Sequence, residues 1–100
     1  MHFIYILYSP TLDRFYVGES SDPQQRLKWH NEHVFKNAYT KSGDDWHLVL
    51  TLEFSDRKNA RRIERYIKSM KSSSFIKRLS KDSEFLSNFK TIVKENSILP

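Results

Sequence analysis

The chain has 100 residues, 38% of them hydrophobic and 14% aromatic, which is enough apolar material for the core of one domain spanning residues 1–100. It contains no cysteine, so disulfides, thiol nucleophiles and cysteine-based zinc sites are excluded. Its formal net charge of +5 indicates a polyanionic partner, nucleic acid first.

The beginning of the chain predicts a β-hairpin. Residues 2–9, HFIYILYS, form a short apolar segment rich in aromatic and β-branched residues, as expected for a buried strand. PTLD has the chemistry of a turn, and RFYVGES predicts a second strand that ends near Gly18. The apolar run is too short for a signal peptide or a membrane span, so we expect a soluble, cytoplasmic protein that has no membrane partner.

A helix and a third strand follow the hairpin. Asp22 suits the N-cap of the helix, Pro23 suits its first position, and Gln25 completes a capping box. We expect this helix to end at about His33 and the polar segment that follows, VFKNAYTKSGDD, to be irregular. The next segment, WHLVLTLEF, is continuous and apolar, so we expect a strand in the centre of the sheet.

Helices complete the chain. Ser55 or Asp56 can cap a helix over residues 57–71, and Ser73 or Ser74 can cap a short helix within SSSFIKRLS. Apolar residues at helical spacing predict a further helix in the C-terminal extension, residues 81–100: Phe85, Phe89, Ile92 and Val93. The order β-β-α-β-α-α predicts a small α+β domain, with helices packed on a three-stranded sheet.

The helix over residues 57–71 contains one acid in a strongly basic segment. Residues 57–81 hold ten basic side chains and a single acid, Glu64. Helical spacing places this acid on the apolar face, together with Ala60, Ile63 and Ile67. Glu64 can pair with Lys68 one turn later, at about 0.3–0.5 kcal/mol, or it can hold a divalent cation against a phosphate chain. A partly desolvated carboxylate needs a partner, and a divalent cation is one.

The basic side chains of this helix are the predicted contacts to nucleic acid. Clustered positive charge attracts phosphate, although a charged helix face can also serve only to keep a protein soluble. The predicted nucleic-acid-binding residues are Arg61, Arg62, Arg65, Lys68 and Lys71.

Two side chains of the first helix can act on a phosphodiester. Arg26 and His30 are four residues apart and therefore project from one face. Arg26 can form a bidentate pair with phosphate oxygens, and His30 can relay the proton of an attacking water. The alternatives are an arginine bonded to Asp22 or Glu19 and a histidine packed under its neighbouring tryptophan.

Two tyrosines lie on the predicted hairpin strands. An unperturbed phenol has a pKa of about 10, so Tyr5 could act as a base or position water only with help from a cation. Tyr16 could bind phosphate or orient the water. The alternative for both is packing, since aromatic residues in strands commonly belong to the core.

Four segments in this order resemble the GIY-YIG nuclease superfamily: FIYILYS, FYVGES, QQRLKWH and ARRIERYIK. The resemblance is greatest to the compact stand-alone members related to the amino-terminal domain of the excinuclease C subunit, and it covers residues 2–80. It implies a three-stranded antiparallel sheet flanked by helices. It also implies a catalytic set in which Glu64 binds the metal, Mg²⁺ or Mn²⁺: Tyr5, Tyr16, Arg26, His30 and Glu64.

Two positions depart from the family pattern. Phe3 stands where the first-motif glycine is usual, and Glu19 stands where many members carry lysine or a small residue. A carboxylate at position 19 would have to point away from phosphate or help to hold the metal.

From the residues and the resemblance together we expect a metal-dependent DNA endonuclease that acts in DNA repair or recombination. The alternatives are a module that binds nucleic acid through the basic helix without cutting it, and a protein-interaction module that docks through its terminal helix. Selectivity for particular DNA sites would come from a partner protein or from a homodimer.

Overall fold

The computed structural model describes residues 1–32 and 45–95, and its centre is a three-stranded antiparallel sheet. The strands are β1 (His2–Ser9), β2 (Arg14–Ser20) and β3 (His47–Phe54). The helices are α1 (Pro23–Asn31), α2 (Arg57–Ser69), α3 (Ser73–Lys81) and α4 (Ser83–Glu95). The predicted α+β class, with helices packed on a three-stranded antiparallel sheet, is confirmed.

The strand order is β2-β1-β3, so the predicted central position of β3 is wrong. β1 lies in the centre and pairs antiparallel with both neighbours, and five of its side chains are fully buried: Ile4, Tyr5, Ile6, Leu7 and Ser9. β3 instead exposes His47, Thr51 and Glu53. An apolar run indicates that the faces of a strand are covered, but it does not indicate how many neighbouring strands that strand pairs with.

The helix caps follow side-chain chemistry. Asp22 accepts a hydrogen bond from the Gln25 amide at 3.1 Å, and Asp56 accepts one from the Asn59 amide at 2.8 Å. The predicted caps of α3 are wrong, because Ser72 fills that position by accepting from the Phe75 amide at 3.1 Å. The two serines that follow it therefore lie in the first turn of the helix.

Two predicted features fall at the edge of the described residues. Helix α1 ends at Asn31, whereas the predicted end near His33 lies outside the described residues. The segment predicted to be irregular also lies outside them, except for its last residue, Asp45. Within residues 1–32 and 45–95, no helix combines the length and apolar character needed to cross a bilayer.

The sheet separates two hydrophobic clusters because successive side chains of a strand point to opposite faces. On one face, Ile4 and Ile6 of β1 join buried side chains of all the later helices: Ile63, Ile67, Leu79 and Phe89. On the other face, Tyr5 and Leu7 pack with Trp46 and with half-buried Leu27 of α1. Tyr5 is therefore a core residue of the smaller cluster as well as a predicted site residue.

Helix α4 packs against α3 through aromatic side chains. Phe75 meets Phe85 edge-on at 5.7 Å between ring centroids and meets Phe89 at 5.9 Å. Tyr66 of α2 stacks on Phe89 at 6.3 Å. Such contacts explain why apolar residues recur at helical spacing in this part of the sequence.

Asn31 fastens the end of α1 to the start of β3. Its side-chain amide donates to the Trp46 carbonyl at 2.8 Å, and its side-chain oxygen accepts from the Trp46 amide at 2.8 Å. This pair satisfies both main-chain groups of a buried tryptophan. It also fixes the helical turn that carries His30.

We expect Asn31→Ala to destabilise the fold by about 1–3 kcal/mol, because both Trp46 main-chain groups lose their partners in a partly buried place. Urea denaturation followed by tryptophan fluorescence measures the change. The matched control is Asn88→Ala at an exposed position of α4. Equal free energies of unfolding for the two variants would contradict the anchoring role.

Candidate active site

A cleft of about 460 Å³ opens at the β2 edge of the sheet. The cleft is lined by residues of the central strand β1, the edge strand β2, and helices α1 and α2. Four of the five predicted catalytic residues are among them: Tyr5, Tyr16, Arg26 and Glu64. The fifth, His30, is hydrogen-bonded to Tyr5.

Strand register brings the tyrosines together. Tyr5 pairs with Gly18, and Leu7 pairs with Tyr16, so all four positions face the α1 side of the sheet. The two tyrosine rings lie 6.0 Å apart between centroids. Glu19 pairs with Ile4 and therefore lies on the α2 side, so the cleft wraps around the edge strand.

His30 is buried between the two tyrosines. Its Nε2 atom lies 3.0 Å from the Tyr5 hydroxyl, and its ring centroid lies 4.5 Å from that of Tyr16. Burial, followed by the positive charge of Arg26, lowers the pKa of His30 to about 4. The imidazole is therefore neutral at neutral pH, and its hydrogen bond holds the Tyr5 hydroxyl.

The environment of Tyr5 disfavours its ionised form. Burial is the largest cause that raises the pKa of the Tyr5 hydroxyl, and the neighbouring Tyr16 raises it further. The charge of Arg26 opposes this shift, whereas the charge of Glu64 adds to it. Tyr5 can therefore act as a base only when additional positive charge reaches the cleft.

Glu64 is buried on α2, on the same face as Ala60, Ile63 and Ile67, as helical spacing predicted. Its carboxylate lines the cleft and forms two ion pairs within the helix. Lys68 Nζ lies 2.9 Å from Oε2, and Arg61 Nε lies 3.4 Å from Oε1. Pairing with Lys68 and binding of a cation are the alternatives that the sequence leaves open for Glu64. In the structure the Lys68 pair forms, and the same carboxylate also lines the cleft.

The donor set around Glu64 fits one kind of metal. Among residues 1–32 and 45–95, no three His, Cys, Asp or Glu side chains are grouped as metal ligands, as zinc would require. Mg²⁺ and Mn²⁺ prefer oxygen, and Mg²⁺ commonly binds one or two carboxylates together with water and substrate phosphates. Two carboxylates, those of Glu64 and Glu19, line a cleft that arginines also line, and this suits that arrangement.

The predicted nucleic-acid-binding residues do not form one surface. Arg61 lines the cleft, and the Lys68 ammonium lies 5.9 Å from the centroid of the Tyr16 ring. Arg62 and Arg65 line a separate hollow with Tyr66. Lys71 is exposed beyond the end of α2. Successive residues of a helix point in different directions, so α2 distributes over several faces a set that looks continuous in the sequence.

Glu19 belongs to a bonded group that sequence reasoning did not assemble. Its carboxylate accepts from His2 Nδ1 at 2.9 Å and pairs with Arg57 Nε at 3.4 Å. All three residues line the cleft. The Arg57 cation offsets negative charge that would otherwise repel a phosphate, and the imidazole occupies the other carboxylate oxygen. The three come from different elements, so no local spacing in the sequence could reveal the group.

Gly18 makes room for Tyr5. A Cβ atom at position 18 would lie 2.5 Å from the Tyr5 hydroxyl oxygen and 2.5 Å from the ring carbon that bears it. No side chain can be that close, so any residue other than glycine displaces the tyrosine or the strand. The glycine in YVG is therefore a steric requirement of the site.

Comparison with known proteins shows the family of the chain. The model of the GIY-YIG catalytic domain matches residues 1–79, and the chain belongs to this nuclease family, as the sequence predicted. A similar solved structure is the solution NMR structure of the UPF0213 protein BH0048 from Bacillus halodurans, with 27% identity over 85% of this chain and 92% of that chain and a TM-score of 0.48. No curated protein sequence matches the chain.

We expect Gly18→Ala to destabilise the protein by about 1–3 kcal/mol, because the added methyl group overlaps the Tyr5 ring. Combining it with Tyr5→Leu should remove most of this cost, because the overlapping ring atoms are gone. Chemical denaturation of both single variants and the double variant gives the interaction energy. Additive effects would contradict steric contact as the cause.

We expect burial of neutral His30 to make stability depend on pH. The folded pKa is about 4 and the ordinary value is 6.5, so the unfolded chain binds the proton more readily between these values. The contribution is complete above about pH 6.5 and is lost as pH falls towards about 4. It amounts to about 2 kcal/mol between about pH 7 and pH 5.

The measurement is urea denaturation of the wild-type protein and of His30→Gln at both pH values. Glutamine does not titrate, whereas the other three histidines remain in both proteins, so the difference between the proteins measures the contribution of His30. An equal loss of stability in the two proteins would contradict the neutral buried imidazole.

Proposed function

We propose that this protein is a divalent-metal-dependent DNA endonuclease that hydrolyses phosphodiester bonds. The observation that carries the proposal is a buried carboxylate, Glu64, in one cleft with Arg26, Arg61 and the Tyr5 hydroxyl. Membership of the GIY-YIG family supports nuclease chemistry in general. Metal dependence, DNA as the substrate, a cytoplasmic location and a role in repair or recombination belong to the proposal.

Glu64 would hold the metal, which is Mg²⁺ or Mn²⁺ in this proposal. When bound, such an ion supplies Lewis-acid polarisation of the phosphoryl group. Burial keeps the carboxylate away from bulk water, where its field would be screened.

Two arginines suit the phosphate. Arg26 of α1 and Arg61 of α2 reach the cleft from different elements. A guanidinium carries a permanent charge and a planar set of donors that matches phosphate oxygens. Here the two would bind the scissile group and stabilise the charge that grows on it during attack by water.

Tyr5 and His30 suit the attacking water. The Tyr5 hydroxyl lines the cleft, and the hydrogen bond to buried His30 fixes its position. Positive charge from Arg26 already lowers the cost of phenolate formation, and this cost would be lower still with a divalent ion held by Glu64. Tyr5 would accept the water proton or orient the water, with His30 as the group that holds it in place.

The alternative is a module that binds nucleic acid without cutting it. Binding alone needs positive charge, which α2 supplies on several sides. It needs neither a buried carboxylate in the cleft nor a hydroxyl fixed beside it by a buried imidazole. A partner protein or a second copy would supply the choice of DNA site in either case.

We expect Glu64→Gln to reduce cleavage of labelled linear and branched DNAs by at least about 10²-fold, since loss of a charge-stabilising group costs about 3–4 kcal/mol in the transition state. The assay contains Mg²⁺ or Mn²⁺, with EDTA as the blank. Thermal unfolding should change little, because the ion pairs that are lost involve half-exposed cations.

The matched control is Glu84→Gln at an exposed position of α4. It removes the same charge outside the cleft and should cleave like the wild-type protein. Full activity of a correctly folded Glu64→Gln protein would contradict the assignment of Glu64 as a metal ligand, and therefore the proposed mechanism.

A further inference from the structure

Lys68 is bonded to the carboxylate that is assigned to the metal. Its ammonium lies 2.9 Å from Glu64 Oε2, closer than the Arg61 guanidinium lies to Oε1, at 3.4 Å. A compact cation at this distance occupies one side of the carboxylate. Lys68 therefore competes with a metal ion for that oxygen, because it binds one of the lone pairs and repels a second cation.

The burial of the two partners differs in a way that suits exchange. The Glu64 side chain is 11% exposed, whereas that of Lys68 is 49% exposed. The carboxylate is held by the packing of α2, whereas the end of the lysine is in contact with water and can change rotamer. Breaking the pair thus costs little on the lysine side.

Lys68 also lies beside an aromatic ring that lines the cleft, although Lys68 itself does not line it. Its ammonium already lies 5.9 Å from the centroid of the Tyr16 ring, which lines the cleft. Attraction to the face of an aromatic ring can keep the displaced cation beside the site. From there it can contact a phosphate held by Arg26 and Arg61.

We propose that Lys68 occupies the metal-binding side of Glu64 in the free protein and moves to a substrate phosphate when the divalent ion binds. The inference rests on the proposed function, because it takes Glu64 as the metal ligand. Its consequence is that metal and DNA favour each other's binding. Phosphate draws Lys68 away from Glu64, and this linkage is reciprocal.

The first test measures Mn²⁺ affinity without DNA, from the electron paramagnetic resonance signal of free Mn²⁺. Lys68→Met removes the competing cation and should tighten Mn²⁺ binding by about 3- to 10-fold. Lys58→Met is the matched control, because it removes an equal charge from an exposed position of the same helix. It should change the affinity by less than about twofold.

Two further variants separate the possible failures. Lys68→Arg retains a cation and should bind Mn²⁺ within about twofold of the wild-type protein. Loss of Mn²⁺ binding in Glu64→Gln together with unchanged affinity in Lys68→Met would overturn the exchange and leave the metal assignment intact. Full Mn²⁺ binding in Glu64→Gln would overturn both. If Lys68→Met does not fold, Lys68→Gln carries the same expectation.

The second test uses DNA binding in EDTA and needs no metal. Glu64→Gln releases Lys68, so duplex binding should tighten and the slope of log affinity against log salt should steepen by about 0.9, the value for one added phosphate contact. We also expect Glu64→Gln to increase DNA affinity when Lys68 has been replaced by Met, but by a factor at least about three times smaller than in the protein that retains Lys68. Equal tightening in the two backgrounds would overturn the movement of Lys68 to phosphate.

Discussion

The hydrogen bond between the Tyr5 hydroxyl and His30 joins the central strand to the first helix, and the geometry of the cleft depends on it. It can form only because Gly18, opposite Tyr5, leaves space for the ring. It also requires α1 to stay in place, which the Asn31 contacts to Trp46 ensure. The Tyr5–His30 contact thus belongs both to the core and to the candidate site. Substitutions that loosen the core here therefore also displace the Tyr5 hydroxyl.

The negative charges in the cleft are balanced by ion pairs in which the carboxylate is more buried than the cation. Glu64 and Glu19 have nearly buried carboxylates, and each is bonded to a half-exposed or exposed cation. The fixed groups are therefore negative, whereas the positive groups can be rearranged. In the proposed mechanism, a phosphate chain would recruit these cations without altering the backbone, and this would leave Glu64 available to a divalent ion. Positive charge alone would attract DNA, but it would not leave a ligand in place for the ion.

Several features of the fold and the site could be predicted because they depend on neighbours in the sequence. The N-caps of α1 and α2 follow from single aspartates that precede them, and the buried face of α2 follows from helical spacing. The position of β3 could not be predicted in this way. Its apolar run reflects contact with helices, whereas strand order depends on which edges pair, and β1 takes both.

The sequence by itself determined the chemistry that is available: a family motif set, a single acid on a basic helix, and no cysteine. Only the tertiary structure decided which of these groups meet. It paired Glu19 with His2 and Arg57 across three elements, and it separated Arg62 from Arg61 although they are adjacent in sequence. The physical reason is that spacing along one helix or strand fixes a direction for each side chain, whereas distances between elements follow from packing of the whole core.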